Sequence, residues 1–258
     1  MSKFSKNYQQ VTFIKHWTEN LFSFRITRPK GFKFRSGEFV MIGLVDNNDK
    51  PILRAYSICS PSWSEELEFY SIIVKDGPLT SKLKNIKIGD KIIMMPKSTG
   101  TLVLDALRPG KRLFLLSSGT GFAPFAALIR EPETYERFDN IVVTHTCRMV
   151  NELSYSKSII QECKNDELVR KFIDNKLVSY HSTTREDNIF NGRITELILS
   201  NKLFNDLEIN SISSDDRFMF CGSMGLNNDL KKIMVENNFR EGANNNPGEF
   251  VLEKAFVG

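Results

Sequence analysis

Up to about residue 96, apolar positions recur with period two: Val11 to Trp17, then Phe22, Phe24 and Ile26, then Phe39 to Val45, Ile52 to Cys59, Leu67 to Val74, and Ile92 to Met95. Such alternation sends successive side chains to opposite faces and predicts six half-buried strands. Turn-forming residues separate them at Pro29-Lys-Gly31, Ser36-Gly37, Asp46-Asn-Asn-Asp49, Gly77-Pro78 and Gly89-Asp90. Only Leu79 to Ile86 looks helical, so the pattern predicts a small antiparallel barrel.

After Leu107-Arg-Pro-Gly110 the rhythm changes. Short apolar strands at Leu113 to Leu116, Ile141 to Thr144, Leu177 to His181 and Phe218 to Cys221 are each followed by a helical stretch, at Ala123 to Arg130, Leu153 to Cys163, Ile194 to Leu199 and Leu226 to Asn237. Strand-helix alternation predicts a Rossmann-like parallel sheet with helices on both faces. Two domains follow, residues 1–105 and 106–258, the second ending in a last strand, Glu249 to Glu253, and a short tail.

Composition narrows the class. With 258 residues, 41% hydrophobic and 26% charged, the chain matches a globular protein and not a disordered or fibrous one. Its longest apolar run, Phe39 to Val45, is far below the roughly 20 residues of a membrane span. The first ten residues carry lysines with no apolar segment behind them, so no secretory signal is expected and a cytoplasmic location is. Four scattered cysteines, Cys59, Cys147, Cys163 and Cys221, contain no C-x-x-C pair, which argues against a zinc site, a disulfide framework or an iron–sulfur cluster; no metal is expected. The net charge of +4 favours acidic or phosphate-bearing partners without reaching the level that implies nucleic acid.

Ligands of parallel sheets bind at the carboxyl ends of the strands, so those residues matter most. The first strand of the second half runs into Ser117-Ser-Gly-Thr-Gly-Phe-Ala-Pro124, where two glycines would let the backbone approach a pyrophosphate. The third glycine of the dinucleotide fingerprint is missing, and a plain tight turn reads equally well. The second strand ends in His145-Thr-Cys-Arg148, with an arginine where an NAD-preferring site would carry an acid; Thr183-Thr184-Arg185 and Arg193 follow the third. Three arginines at neighbouring strand ends suit a 2′-phosphate. The fourth strand ends in Cys221-Gly222, where a flat ring could lie against backbone, although a buried structural cysteine is the commoner case.

In the barrel, Arg54-Ala-Tyr56-Ser57 would put Arg54 and Tyr56 on one face and Ser57 on the other. A flavin dinucleotide needs those chemistries together: a cation, an aromatic face and a hydroxyl. Gly77-Pro-Leu-Thr-Ser81, opening the one helix, is a second candidate anion site.

Together these residues resemble the ferredoxin–NADP reductase family, in its bacterial flavoprotein branch. The resemblance runs through Arg54-Ala-Tyr-Ser57, Gly77-Pro-Leu-Thr-Ser81, Ser98-Thr-Gly-Thr-Leu102, Gly119-Thr-Gly-Phe-Ala-Pro124, Tyr135-Glu-Arg-Phe138, Asn151-Glu-Leu153, Cys221-Gly222 and Glu253-Lys-Ala-Phe-Val257. It implies an FAD barrel followed by an NADP domain, hydride exchange between NADPH and flavin, and single-electron exchange with a ferredoxin or flavodoxin by a monomeric enzyme. By position it implies that Arg54 holds the FAD pyrophosphate, Tyr56 packs on the isoalloxazine and Ser57 bonds N5, with Ala55, Tyr70, Ser71 and Ile72 lining the flavin. Leu79, Thr80 and Ser81 would take phosphate, and Thr120 would face both cofactors. Gly121, Cys147, Thr184, Cys221 and Gly222 would join the NADP site, with Arg148, Arg185 and Arg193 on the 2′-phosphate. Ser57, Cys221 and Glu253 are the catalytic candidates, and the tail would set Ala255 on the flavin ring and Phe256 against the adenine.

Two other readings compete. One keeps the fold but uses NADH to reduce free flavin or an oxygenase, and Arg148 weighs against it. The other is a non-enzymatic FAD-bearing subunit, which the set from Thr120 to Cys221 disfavours.

Overall fold

The computed structural model describes residues 7–254 apart from residues 47 and 49. Its first half is an antiparallel sheet of six strands: β1 (Tyr8–His16), β2 (Leu21–Thr27), β3 (Phe39–Val45), β4 (Pro51–Ser57), β5 (Glu66–Ile72) and β6 (Lys91–Thr99), in the order β4-β3-β6-β1-β2-β5. Alternation supplies its core: Phe22, Phe24, Val40, Ile42, Leu67, Phe69 and Met94 are buried together. Phe24 on β2 meets both Phe69 on β5 and Tyr56 on β4, with ring centroids 5.5 and 6.4 Å apart, so the sheet curls until its two edge strands approach. This is the expected barrel, but the edges do not zip together. They touch where the Cys59 N–H donates to the Glu68 carbonyl and where the Tyr56 and Ser71 hydroxyls meet at 2.9 Å.

The second half is a parallel sheet in the order β10-β9-β8-β7-β11-β12, formed by β7 (Arg112–Ser118), β8 (Asn140–Cys147), β9 (Leu177–Thr183), β10 (Phe190–Asn191), β11 (Asp216–Gly222) and β12 (Phe250–Lys254). The strand order reverses at β7, the place where open α/β sheets bind ligands. The helices are α1 (Thr80–Leu83) in the barrel, then α2 (Ala123–Leu128), α3 (Pro132–Arg137), α4 (Ser154–Asn165), α5 (Arg170–Lys176), α6 (Ile194–Leu199), α7 (Lys202–Asp206) and α8 (Met224–Glu236). No helix among the described residues is long and apolar enough to cross a membrane.

Parity along the strands divides the sheet's two faces. Phe114, Leu116, Phe218 and Phe220 pack with α6 and α8. Leu113, Leu115, Met219 and Val251 pack with α2 and α4, and the same cluster takes in Leu21, Cys59, Tyr70 and Leu102 from the barrel. The barrel therefore shares a core with one face of the parallel sheet. Each fully buried large side chain there contributes about 1.5–3 kcal/mol.

Two adjacent residues after α2 add polar ties. Arg130 donates to the Cys59 carbonyl at 2.7 Å and lies 3.6 Å from the Glu68 carboxylate, while Glu131 accepts from the Ser36 hydroxyl and the Ser62 N–H, each at 2.6 Å. Such buried pairs matter most when broken, because losing one partner strands the other charge at a cost of about 3–5 kcal/mol.

Several expectations need correction. The barrel helix shrinks from Leu79–Ile86 to the single turn α1, because Asn85 and Ile86 bond to carbonyls three residues back and the chain then turns through Gly89 at φ +96. Helices α3, α5 and α7 add to the four expected in this half, and Pro132 at the first position of α3 is a start signal that the sequence offers.

Candidate functional site

A cleft of about 910 Å³ opens where the edges of β4 and β5 part, a size suited to a dinucleotide-scale ligand. Arg54, Ala55, Tyr56 and Ser57 line it from β4, and Tyr70, Ser71 and Ile72 from β5. Leu79 and Thr80 contribute beside α1, Thr120 comes from the turn after β7, and Glu253 and Lys254 from the end of β12. Both halves of the chain thus meet around one space. Ser81 is not among its walls, and its N–H is taken by the Gly77 carbonyl. The Thr80 hydroxyl is likewise engaged, with the backbone of Val74. The expected anion site at Gly77–Ser81 therefore keeps only part of its donor set. Ala255 and Phe256 lie outside the described residues.

Hydrogen-bond parity explains why the cleft is chemically rich. Just past β4 the Ile58 N–H donates to the Glu38 carbonyl, just before β3, so by alternation Ala55 and Ser57 turn their backbone groups the other way, into the cleft. Just past β5 the Ile73 N–H donates to the Asn20 carbonyl beside β2, so the backbone groups of Tyr70 and Ile72 likewise face outward. Facing strand edges of this kind suit a planar ligand with its own donors and acceptors. The buried Tyr70 hydroxyl also has no hydrogen-bond partner among the described residues, and Phe39, Met41 and Leu53 supply an apolar wall. Cation, aromatic ring, hydroxyl, unpaired backbone and apolar surface together fit a flavin dinucleotide.

The second seat adjoins the first. Gly119 turns the chain at φ +54, and a Cβ on Gly121 would lie 2.0 Å from the Cys221 carbonyl oxygen, so the turn packs against β11 only with glycine there. A Cβ on Gly222 would lie 2.5 Å from the Leu226 side chain and 2.6 Å from the Ser118 hydroxyl. Cys221 is buried, and burial raises its thiol pKa, so it presents a neutral surface and no thiolate. Cys147 is also buried, its thiol pushed up to about 12 by desolvation.

Glu253 pairs in register with Cys221 and reaches into the barrel, accepting from the N–H and hydroxyl of Thr101. Desolvation nevertheless outweighs those bonds and raises its carboxyl to about 7. The group can therefore hold or release a proton near neutrality beside the cleft.

At the far end, the Arg185 N–H donates to the Arg148 carbonyl at 3.0 Å and the Thr184 N–H to the Cys147 carbonyl at 3.0 Å, binding the ends of β9 and β8 together. Arg193 precedes α6, two residues after β10. None of the three guanidinium groups has an ion-pair partner among the described residues. Sequence reasoning missed what holds this corner: Glu152 accepts from the N–H groups of Arg148 and Met149, and Glu186 from that of Val150. A glutamate three residues into a turn is the signal that was available for Glu152. It also missed His145, which lies under the β7 turn.

Comparison with known proteins agrees with this geometry. Residues 9–102 match an oxidoreductase FAD-binding domain. The chain is 56% identical over 251 residues to a flavodoxin/ferredoxin–NADP reductase of Rhodobacter capsulatus, covering 97% of this chain and 93% of that protein. It is 43% identical over 256 residues to a ferredoxin–NADP reductase of Azotobacter vinelandii, covering 97% and 98%. The solved structure of a ferredoxin NADP+ reductase from Neisseria gonorrhoeae with bound FAD and NADP superimposes with a TM-score of 0.87 at 26% identity, covering 96% and 98% of the two chains. With a dinucleotide-sized cleft in an open barrel, a glycine turn at the reversal point of a parallel sheet, and identity of this extent along nearly the whole chain, the protein belongs to the ferredoxin–NADP reductase family.

Proposed function

We propose that this chain exchanges hydride with NADP(H) at a bound FAD and passes electrons singly to or from an external ferredoxin or flavodoxin. One observation carries the reading: the flavin-suited cleft is walled by both halves, Arg54 to Ser57 and Tyr70 to Ile72 from the barrel, and Thr120 and Glu253 from the dinucleotide half. Two cofactor seats that share a wall permit direct transfer between them. The flavin, when bound, supplies the conversion between two-electron and one-electron chemistry.

The residues supply position and charge. Arg54 offers a cation to the pyrophosphate, Tyr56 a ring face and Ser57 a hydroxyl. Ala55, Tyr70, Ser71 and Ile72 present backbone and apolar surface to the ring. Thr120, Gly121, Cys221 and Gly222 form the floor where the nicotinamide would meet the flavin, and Arg148, Thr184, Arg185 and Arg193 take the 2′-phosphate. Glu253 keeps a proton available at the junction.

We place the domain boundary near residues 105–106, between the end of β6 at Thr99 and the start of β7 at Arg112. All four cysteines are free thiols, which suits the reducing cytoplasm. Both seats come from one chain, which supports a functional monomer. The test is an anaerobic titration of the FAD-loaded protein with NADPH, followed by mixing with oxidised ferredoxin or flavodoxin. Bleaching of the flavin and its return on mixing support the reading; a flavin unmoved by NADPH overturns it.

A further inference from the structure

We infer that His145 is a positioning residue for the nicotinamide-dinucleotide seat, fixing the turn after β7 and joining it to the strand end that carries Arg148. The inference rests on the reading that this turn receives NADP(H). His145 lies on β8 in register with Ser117 of β7 and His181 of β9, on the face that looks toward α4 and the turn, and it is 1% exposed.

Its two ring nitrogens are both used. Nε2 stands 2.8 Å from the Gly119 carbonyl oxygen, and Nδ1 stands 2.7 Å from the Ser156 hydroxyl. A carbonyl only accepts, so Nε2 carries the hydrogen and donates; Nδ1 is then the acceptor, and the single Ser156 hydrogen is shared between it at 2.7 Å and the Leu153 carbonyl at 3.0 Å, the shorter contact going to the ring. The Cys147 sulfur sits 3.2 Å from Nε2, and the Phe122 ring packs with its centroid 5.0 Å from the imidazole. Desolvation, helped by the neighbouring His181, holds the imidazole down at about 3, so it stays neutral and the tautomer persists.

What the bond holds is specific. Gly119 has φ +54, and the space where its side chain would be is open, so side-chain packing does not fix the left-handed start of the turn. The carbonyl of that same residue is the atom His145 grips. One residue later Thr120 lines the flavin cleft, and the next, Gly121, packs on Cys221. On its other side the imidazole is anchored to Ser156 in α4, while its own strand ends two residues on at Cys147, and Arg148 follows directly. A single neutral ring thus sets the spacing between the nicotinamide end and the phosphate end of the seat. A histidine that merely satisfies itself in a core would not link both.

The experiment compares His145→Leu, His145→Gln and Ser156→Ala as FAD-loaded proteins. His145→Leu removes the donor at similar volume and leaves the Gly119 carbonyl without its partner; it should raise KM about tenfold for NADPH and for NADH alike. Reduction of its flavin by dithionite and reoxidation by ferredoxin should be unchanged. His145→Gln, whose amide nitrogen can reach the Gly119 carbonyl, should recover most of the loss, and Ser156→Ala should shift both KM values in the same direction by less. Independently of turnover, hydrogen exchange at the amides of residues 119–122 should accelerate in His145→Leu and return toward the parent rate in His145→Gln. Unchanged KM values and exchange overturn the inference, as does loss confined to NADPH, which would make His145 a reader of the 2′-phosphate. Glutamine no better than leucine in variants that melt with the parent also overturns it, leaving only ring volume. Failure of NADPH to bleach the parent flavin is a separate result, which removes the underlying reading and the role with it.

Discussion

Tyr70 of the barrel and Tyr155 of α4 stack with ring centroids 4.1 Å apart and planes 18° from parallel, so one side chain of the flavin cleft rests on the other half of the molecule. Tyr155 also meets Trp17 edge-on at 5.3 Å and donates from its hydroxyl to Glu68 at 3.3 Å. The two halves are therefore coupled through an aromatic stack capped by a buried carboxylate.

Removing that stack should loosen the flavin and the fold together. Tyr155→Ala is expected to cost about 3–5 kcal/mol, as for other large aromatic truncations. Tyr155→Phe keeps the stack and loses one donor to Glu68, for about 1–2 kcal/mol. Urea unfolding of the holoprotein measures both, and FAD release should follow the larger loss.

Cofactor choice should depend on Arg148. A charge-assisted phosphate contact is worth about 1.5–3 kcal/mol, so Arg148→Ala should raise the NADPH KM tenfold or more and leave NADH nearly unchanged. Steady-state kinetics with both cofactors separate this from the common loss expected of His145→Leu.

Glu253 should write its protonation into stability. Its carboxyl is raised to about 7 in the fold from an ordinary 4.5, so its protonated form is the favoured one. That contribution is complete below the ordinary value and is lost as pH rises through about 7. Denaturation midpoints should therefore fall as pH rises from about 4.5 to about 7 in the parent and level off above that, and Glu253→Gln, fixed in the neutral form, should flatten this part of the profile.

Much of this arrangement was legible before any coordinates. Period-two runs located the six barrel strands, and strand-helix alternation located the parallel sheet, because each pattern follows from which face meets the core. Arg54, Tyr56, Ser57, Thr120 and Arg148 stood out because their chemistry is unusual at strand ends. Arg130, Glu131 and Glu68 did not, since charged residues in a sequence look solvated until tertiary packing buries them. His145 was passed over for a related reason: a lone histidine in an apolar strand has no periodicity to mark it, and its partners Gly119 and Ser156 are 26 and 11 residues away. Thr80 lines the cleft as expected, but the sequence did not show that its hydroxyl is also engaged by the Val74 backbone.

Residues 255–258 offer a further check. Lys254, the last described residue, lines the cleft. If the tail acts as the family resemblance implies, with Phe256 against the adenine, deleting these four residues should weaken FAD retention and increase the charge-transfer absorbance seen with NADP. Stopped-flow spectroscopy reads both effects.

Carrier encounter should be steered by charge. The net charge of +4 favours an acidic redox partner, so ferredoxin reduction should slow as salt rises toward physiological strength, where the screening length falls to about 8 Å. A rate indifferent to salt would point to a small-molecule acceptor.

The open seam between β4 and β5 bears on the protein's life before it works. Two unpaired strand edges facing one another are a template for any extended chain, and proteins normally shield such edges with charge, proline or a covering element. Here an FAD bound in the cleft would be the covering element. A newly made chain in a cell short of riboflavin would carry that seam uncovered, so vitamin supply should govern how much of this protein escapes aggregation and proteolysis, and its abundance should fall in flavin starvation well before its transcript does.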